Sequence, residues 1–244
     1  MASKRQQPGD AETLTTALVT GATRGIGRAI ATRLATLGYS VFLLGRDTAS
    51  LESVTQECAA QGVITGCLAG DLQDGSYIGD AIQQAQALFG EIDVLINNAG
   101  TYRHEPVYSA DLDAWRSVLE VNFSAAVHLS RCVLPRMIER KRGAIINISS
   151  TSGRNTESGS AIYSATKYAL NGFTGCLYED VRDFGIKVSA IMPGFVDTAL
   201  TAELGKNAEK MIRPDDIADA VEYVLSSAST CCPTEIVIRP QLRP

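Results

Sequence analysis

Short apolar runs and longer amphipathic stretches alternate along this chain from about residue 15 onward. The runs at 17–20, 41–44, 63–69, 94–97, 144–148, 188–191 and 236–238 have the length and apolar content of strands. Between them, 25–37, 48–61, 76–89, 111–139, 160–184 and 214–227 carry helical spacing over lengths that can cross a sheet. Strands that are apolar on both faces and joined by helical crossovers require cover on both sides. The pattern therefore predicts an α/β, doubly wound architecture: a seven-stranded, mainly parallel sheet flanked by helices on both faces. Residues 1–14 are polar and aperiodic and read as a flexible arm. Residues 15–244 then form a single domain, which is within the ordinary size of one α/β core.

Composition narrows the partners. Hydrophobic residues make up 45% and charged residues 20% of the 244, values that permit a packed core. The net charge of −5 opposes nucleic-acid phosphates and anionic membranes. No stretch approaches the ~20 apolar residues of a membrane span, and no apolar segment follows Lys4 and Arg5. A cytoplasmic protein is the expectation. Cys58, Cys67, Cys132, Cys176, Cys231 and Cys232 contain no CxxC pair or zinc spacing, so they read as reduced thiols and no metal site is expected. For the adjacent Cys231 and Cys232, packing and a redox-sensitive pair remain alternatives. His104 and His128 are too isolated for a metal site or a histidine-based triad.

Candidate chemistry gathers after the predicted strands. Gly21, Gly25 and Gly27 follow the first one, where glycines let backbone approach a pyrophosphate and aim helix N–H groups at it. The same spacing also serves a plain strand-to-helix turn. Gly45-Arg46 ends the second strand, where a carboxylate would hydrogen-bond an adenosine ribose; a cation there suits a 2′-phosphate. Arg24 falls on the same side and could complete a guanidinium clamp, although Arg46 could equally be a solvated turn residue. Tyr163 and Lys167 stand four apart on one helix face, placing an ammonium beside a phenol whose ordinary pKa is ~10. The alternative is a surface pair of little consequence. Arg140, Lys141 and Arg142 close a helix, where cations meet the dipole or could dock an acidic carrier protein.

Taken in order, Thr20 to Gly27, Asn97-Asn98-Ala99-Gly100, Asn122, Ser150, Tyr163-x-x-x-Lys167 and Pro193-Gly194 with Thr198 resemble the short-chain dehydrogenase/reductase family. The resemblance runs from about residue 15 to 238 and implies a Rossmann-like fold that uses NADP(H). By resemblance, Tyr163 is the general acid or base, and Lys167 holds the nicotinamide ribose and lowers the phenol's pKa. Ser150 orients the substrate carbonyl, in preference to its neighbour Ser149, and Asn122 binds a water that relays protons to Lys167. The alternative for Asn122 is a capping or helix-distorting polar residue. The resemblance also implies cofactor contacts from Gly21, Thr23, Arg24, Gly25, Ile26, Gly27, Arg46, Asp71, Leu72, Asn98, Ala99, Gly100, Pro193, Gly194, Val196 and Thr198, besides Tyr163 and Lys167.

The reaction so implied is hydride transfer between NADP(H) and a carbonyl or secondary alcohol. Reduction of a 3-oxoacyl thioester or similar small-molecule ketone fits best, and a hydroxy-acid or alcohol dehydrogenase is the alternative. A non-catalytic NADP(H)-sensing or scaffold module is the reading from another class. Residues 195–213 are expected to cover the substrate. The tail from Thr230 to Pro244 lacks the glycine-rich ending common in carrier-protein reductases. Assembly as a homotetramer or homodimer through 111–139 and 160–184 follows from the resemblance alone.

Overall fold

Leu18 and its neighbours Ala17 and Val19 point to opposite faces of one strand, and all three are inaccessible to solvent. That two-sided burial sets the architecture of the computed structural model, which describes residues 15–202 and 205–244. The arm expected over residues 1–14 lies outside the described residues. Strands β1 (Thr16–Thr20), β2 (Ser40–Gly45), β3 (Thr65–Ala69), β4 (Val94–Asn97), β5 (Gly143–Ile148), β6 (Ile186–Pro193) and β7 (Glu235–Ile238) form one sheet in the order β3-β2-β1-β4-β5-β6-β7. Every pairing is parallel.

Helices α1 (Gly25–Thr36), α2 (Thr48–Ala59) and α7 (Pro214–Ser226) cover one face over a core that includes Val19, Ile30, Leu43, Ile96, Ile146 and Ile217. Helices α3 (Gly75–Phe89), α5 (Ala125–Arg140) and α6 (Ala161–Val181) cover the other over Leu18, Leu44, Leu95, Ile145 and Val188. The expected helix over 111–139 is interrupted. It runs as α4 (Leu112–Leu119), one π-helical turn over Glu120–Ser124, then α5. A π turn inserts one extra residue into the helical ladder and re-aims the side chain it carries, here Asn122. Among the described residues no helix is long and apolar enough to cross a membrane.

The chain leaves β1 towards β2 and β3 and returns on β1's other side as β4, so connections diverge at the carboxyl ends of β1 and β4. Thr20 and the Asn98 turn brace that point. Thr20 Oγ1 accepts the N–H groups of Asn98 and Ala99, both at 2.9 Å, and Asn98 Nδ2 donates to the Thr20 carbonyl at 2.9 Å. Behind it, Asn97 Nδ2 donates to Asn147 Oδ1 at 2.8 Å and to Ser130 Oγ at 3.3 Å, and Asn147 Nδ2 donates to Thr174 Oγ1 at 2.8 Å. This buried ladder ties β4 and β5 to α5 and α6 and fixes their height on the sheet.

The opposite pole is held by Asp93, which is 1% exposed. Its carboxylate accepts from the Thr15 N–H at 3.0 Å, Thr16 Oγ1 at 3.1 Å, Arg140 Nη1 at 2.6 Å and Arg142 Nη2 at 3.2 Å. The cations expected at the end of the helix over 111–139 as a possible docking patch are thus engaged internally: Arg140 and Arg142 serve Asp93. Burial pushes the Asp93 carboxyl up, but the Thr15 bond and the two guanidiniums more than offset this and hold it below the usual carboxylate range. A carboxyl lowered in this way contributes stability that is in place above its unfolded pKa and drains away as pH falls through the folded one. Asp93→Asn is expected to remove about 3 kcal/mol at neutral pH by leaving two partly buried guanidiniums underpaired. Urea melts of both chains from neutral to acid pH should show the difference shrinking as the parent's carboxyl protonates; a constant gap would refute the assignment.

Candidate active site

The site forms where β1, β4 and β5 end and α1 and α6 begin. Glycine is required at the first turn by geometry: Gly21 and Gly25 have φ of +64° and +55°, and a Cβ on Gly27 would lie 2.2 Å from the Gly21 carbonyl oxygen. The backbone can therefore close tightly beside the start of α1. Asp47, Asp74 and Asp111 cap α2, α3 and α4 with side-chain bonds, whereas α1 begins at Arg24 with no side-chain cap and no acidic residue in its first turn. Open N–H groups at an uncapped helix start fit an anionic ligand. Thr198 completes this end, its methyl 3.1 Å from where a Gly25 Cβ would stand.

Thr23 packs against Gly45 so closely that a Cβ there would meet its methyl at 2.5 Å. The residues that follow each of them, Arg24 and Arg46, are thereby brought to one end of the sheet, and both are exposed. Asp71 accepts from the Gln73 N–H at 3.0 Å in an Asx turn after β3. Leu72, Ile26 and Val196 pack mainly into the apolar layers. Gly194 N–H donates to the Ile238 carbonyl at 2.8 Å, and a Cβ there would lie 2.9 Å from Pro240, so the turn after Pro193 is locked to the tail. The expected cover over 195–213 is closed at its base by paired bonds: Ile212 N to Phe195 O at 3.0 Å and Asp197 N to Ile212 O at 2.8 Å. An open groove of about 740 Å³ lies between 208–213 and the tail, lined by Asp197, Arg213 and Arg239 but by none of Ser150, Tyr163 or Lys167.

Lys167 is 4% exposed, and its Nζ donates to the Ile148 carbonyl at 2.9 Å. It lies 5.7 Å from the centroid of the Tyr163 ring and close to Gly100, whose added Cβ would be 3.8 Å from it. Burial lowers its pKa to about 8. The Tyr163 phenol moves the other way from the expectation of a lowered value: burial raises it, the nearby Ser150 hydroxyl opposes that, and Tyr102 adds to it. In the protein alone, desolvation of the phenol outweighs the Ser150 hydrogen bond that opposes it.

The two serines are used differently. Ser149 donates to the Lys167 carbonyl at 3.4 Å, so it is occupied in holding α6. Ser150 Oγ accepts from the Ser152 N–H at 3.1 Å, which leaves its own proton to donate into the cleft beside Tyr163. Asn122 Oδ1 accepts from the Thr101 N–H at 2.7 Å, and its Nδ2 donates to the Thr101 carbonyl at 2.9 Å and to Thr166 Oγ1 at 3.2 Å. The Asn122 side-chain amide thus clamps the loop after β4. Tyr102, Ser160 and the Ile148 carbonyl join the site without a motif to mark them: Tyr102 arrives from the distant loop after β4, while Ile148 ends β5 and Ser160 precedes α6. Among the described residues no group of three or more His, Cys, Asp or Glu is placed to hold a metal.

The chain's residues 15–209 match the family model described as short chain dehydrogenase. An uncharacterized oxidoreductase of Staphylococcus aureus strain MRSA252 is 38% identical over 224 residues, covering 92% of this chain and 96% of that protein. One from Staphylococcus saprophyticus is 34% identical over 226 residues, again covering 92% and 96%. Among solved structures, a metagenomic short-chain oxidoreductase in complex with NADP superposes with a TM-score of 0.83 at 36% identity, over 95% of this chain and 99% of that one. An alcohol dehydrogenase from the archaeon Thermococcus sibiricus, complexed with 5-hydroxy-NADP, gives a TM-score of 0.87 at 26% identity, over 94% and 98%.

A Lys pKa lowered to about 8 from 10.5 means that, between these values, the unfolded chain binds a proton that the folded chain does not. Stability should therefore rise with pH across that window, by on the order of 3 kcal/mol, relative to Lys167→Met. Thermal melts of the two chains at a series of alkaline pH values test this, and parallel profiles would show that the ammonium is not desolvated.

Proposed function

The chain belongs to the short-chain dehydrogenase family and is thus an oxidoreductase, and we propose that it reduces a ketone with NADPH, using Tyr163 as proton donor. The observation that carries this reading is the convergence of Tyr163, the free proton of Ser150 and the buried Lys167 ammonium beside a glycine turn shaped for backbone approach. Two of the solved relatives carry NADP or 5-hydroxy-NADP, which supports the same cofactor here.

The glycine turn from Gly21 to Gly27, the open start of α1, Asn98 to Gly100 and Thr198 would hold the dinucleotide; Arg24 and Arg46 would take its 2′-phosphate. Asp71 would meet its adenine end. When bound, NADPH supplies a hydride to the carbonyl carbon. The protein's share is proton and charge management at the oxygen. Ser150 donates a hydrogen bond to the carbonyl oxygen and stabilises its developing charge. Tyr163 delivers the proton to that oxygen; burial holds its phenol in the protonated form, and a positive charge beside it, from Lys167, would ease the proton's release. Lys167, protonated below about pH 8, gives one donor to Ile148 and keeps two for the ribose hydroxyls and the phenol. Asn122 acts by position, fixing Thr101 and so the floor of the cleft.

The substrate class that fits is a compact ketone, of 3-oxoacyl or similar type. Presentation by an acidic carrier protein loses support, because Arg140 and Arg142 are engaged by Asp93. NADPH oxidation followed at 340 nm against acetoacetyl thioesters, diketones, aldehydes and 3-hydroxy acids with NADP separates reductase from dehydrogenase and from a cofactor sensor. Tyr163→Phe is expected to lower ketone turnover by about a hundredfold or more while NADPH fluorescence on binding is retained; substantial remaining turnover would remove its role. Arg46→Asp should shift the ratio of kcat/KM for NADPH over NADH by about tenfold or more towards NADH; an unchanged ratio would exclude the phosphate contact.

A further inference from the structure

Tyr102 lies in the loop between β4 and α4, two residues beyond Gly100, and its ring stands 5.0 Å centroid to centroid from that of Tyr163 at an interplanar angle of 83°. That edge-to-face contact is within the favourable range for aromatic pairs and leaves no space between the two rings. Its phenol is hydrogen-bonded at 3.1 Å to Ser160 Oγ, and Ser160, just before α6, is 3% exposed. The ring is thus held at its far end by the same segment that launches Tyr163.

The backbone beneath it is held as firmly. Asn122 clamps Thr101 through both N–H and carbonyl. Glu105 N–H donates to the Gly159 carbonyl at 2.9 Å, and Glu105 Oε1 accepts from Trp115 Nε1 at 2.6 Å. His104, unassigned by the chemistry above, packs over Gly159, whose φ is +77° and whose added Cβ would lie 2.5 Å from the imidazole. The Tyr102 loop and the 157–160 segment therefore move as one unit, and Tyr102 cannot swing aside without losing its bond to Ser160.

We propose that Tyr102 is the specificity-determining wall of the cleft, closing the side of Tyr163 it faces and admitting ketones only when the substituent on that side is small. This rests on the reading of Tyr163 as proton donor. A rigid ring beside the reacting oxygen discriminates by exclusion, which acts on kcat/KM for bulky ketones and leaves compact ones turning over.

The test compares 2,3-butanedione with 1-phenyl-1,2-propanedione, which differ by one methyl-to-phenyl exchange, in the parent chain and in Tyr102→Ala, Tyr102→Phe and Tyr102→Trp. Tyr102→Ala is expected to raise the ratio of kcat/KM for the phenyl over the methyl diketone by about tenfold or more. Tyr102→Phe keeps the ring but frees it from Ser160 and should raise the ratio less. Tyr102→Trp should lower it. A ratio unmoved in Tyr102→Ala, with butanedione still consumed, would overturn the wall alone. Should Tyr102→Ala fail to bind NADPH, the tryptophan and phenylalanine variants decide, and unmoved ratios in both overturn the proposal. A parent chain that binds NADPH yet reduces neither diketone nor any other ketone would overturn the reductase reading, and the wall with it.

Discussion

A buried ammonium with, among the described residues, a single carbonyl partner is the constraint around which the cleft is arranged. Lys167 leaves water because α6 crosses the carboxyl end of β5, and the Ile148 carbonyl at 2.9 Å is its protein acceptor there. One neutral oxygen does not replace a hydration shell, so the charge is held at a cost that shows as a lowered pKa. Such a site is kept by structure that over-determines it. Here the over-determination comes from the polar ladder of Asn97, Asn147, Ser130 and Thr174, which allows α5 and α6 only one seat on the sheet.

Tyr163 and Lys167 respond to the same desolvation in opposite senses, because burial always disfavours the charged form. The phenol is driven to stay protonated and the amine to lose its proton. A dry cleft thus keeps the phenol in its proton-bearing form and the amine easier to discharge. Ser150 provides the counterweight, a hydroxyl that accepts from the Ser152 N–H and opposes the rise in the Tyr163 pKa.

Much of this was legible before any coordinates. Strands buried on both faces announce themselves as apolar runs, and the seven fell within a few residues of where β1 to β7 lie, as did the crossover helices. Spacing also brought Tyr163, Lys167 and Ser150 to one place, since two share a helix and the third follows the end of the strand before it. The π turn at Glu120–Ser124 was hidden, because an extra residue in a helix changes hydrogen bonding and leaves composition alone. Arg140 and Arg142 read as surface cations because their partner Asp93 lies 47 and 49 residues away. Tyr102 was invisible for the same reason: its neighbours Ser160 and Tyr163 are close only through the fold. Desolvation, finally, is a property of the packed molecule, so the direction of the Tyr163 shift could not be read from a neighbouring lysine.

The sheet has two unlike poles. At the amino ends of its strands, Asp93 gathers Thr15, Thr16, Arg140 and Arg142 into a knot of charge, while Ser150, Tyr163 and Lys167 lie towards the carboxyl ends. The β4 strand that separates them is only four residues long, roughly 13 Å at ordinary strand rise. Substitutions around the knot can therefore tune heat tolerance without disturbing catalysis, and loops at the far rim can acquire new substrates without loosening the clasp. A lineage of such chains is free to adapt to temperature and to diet along separate mutational routes.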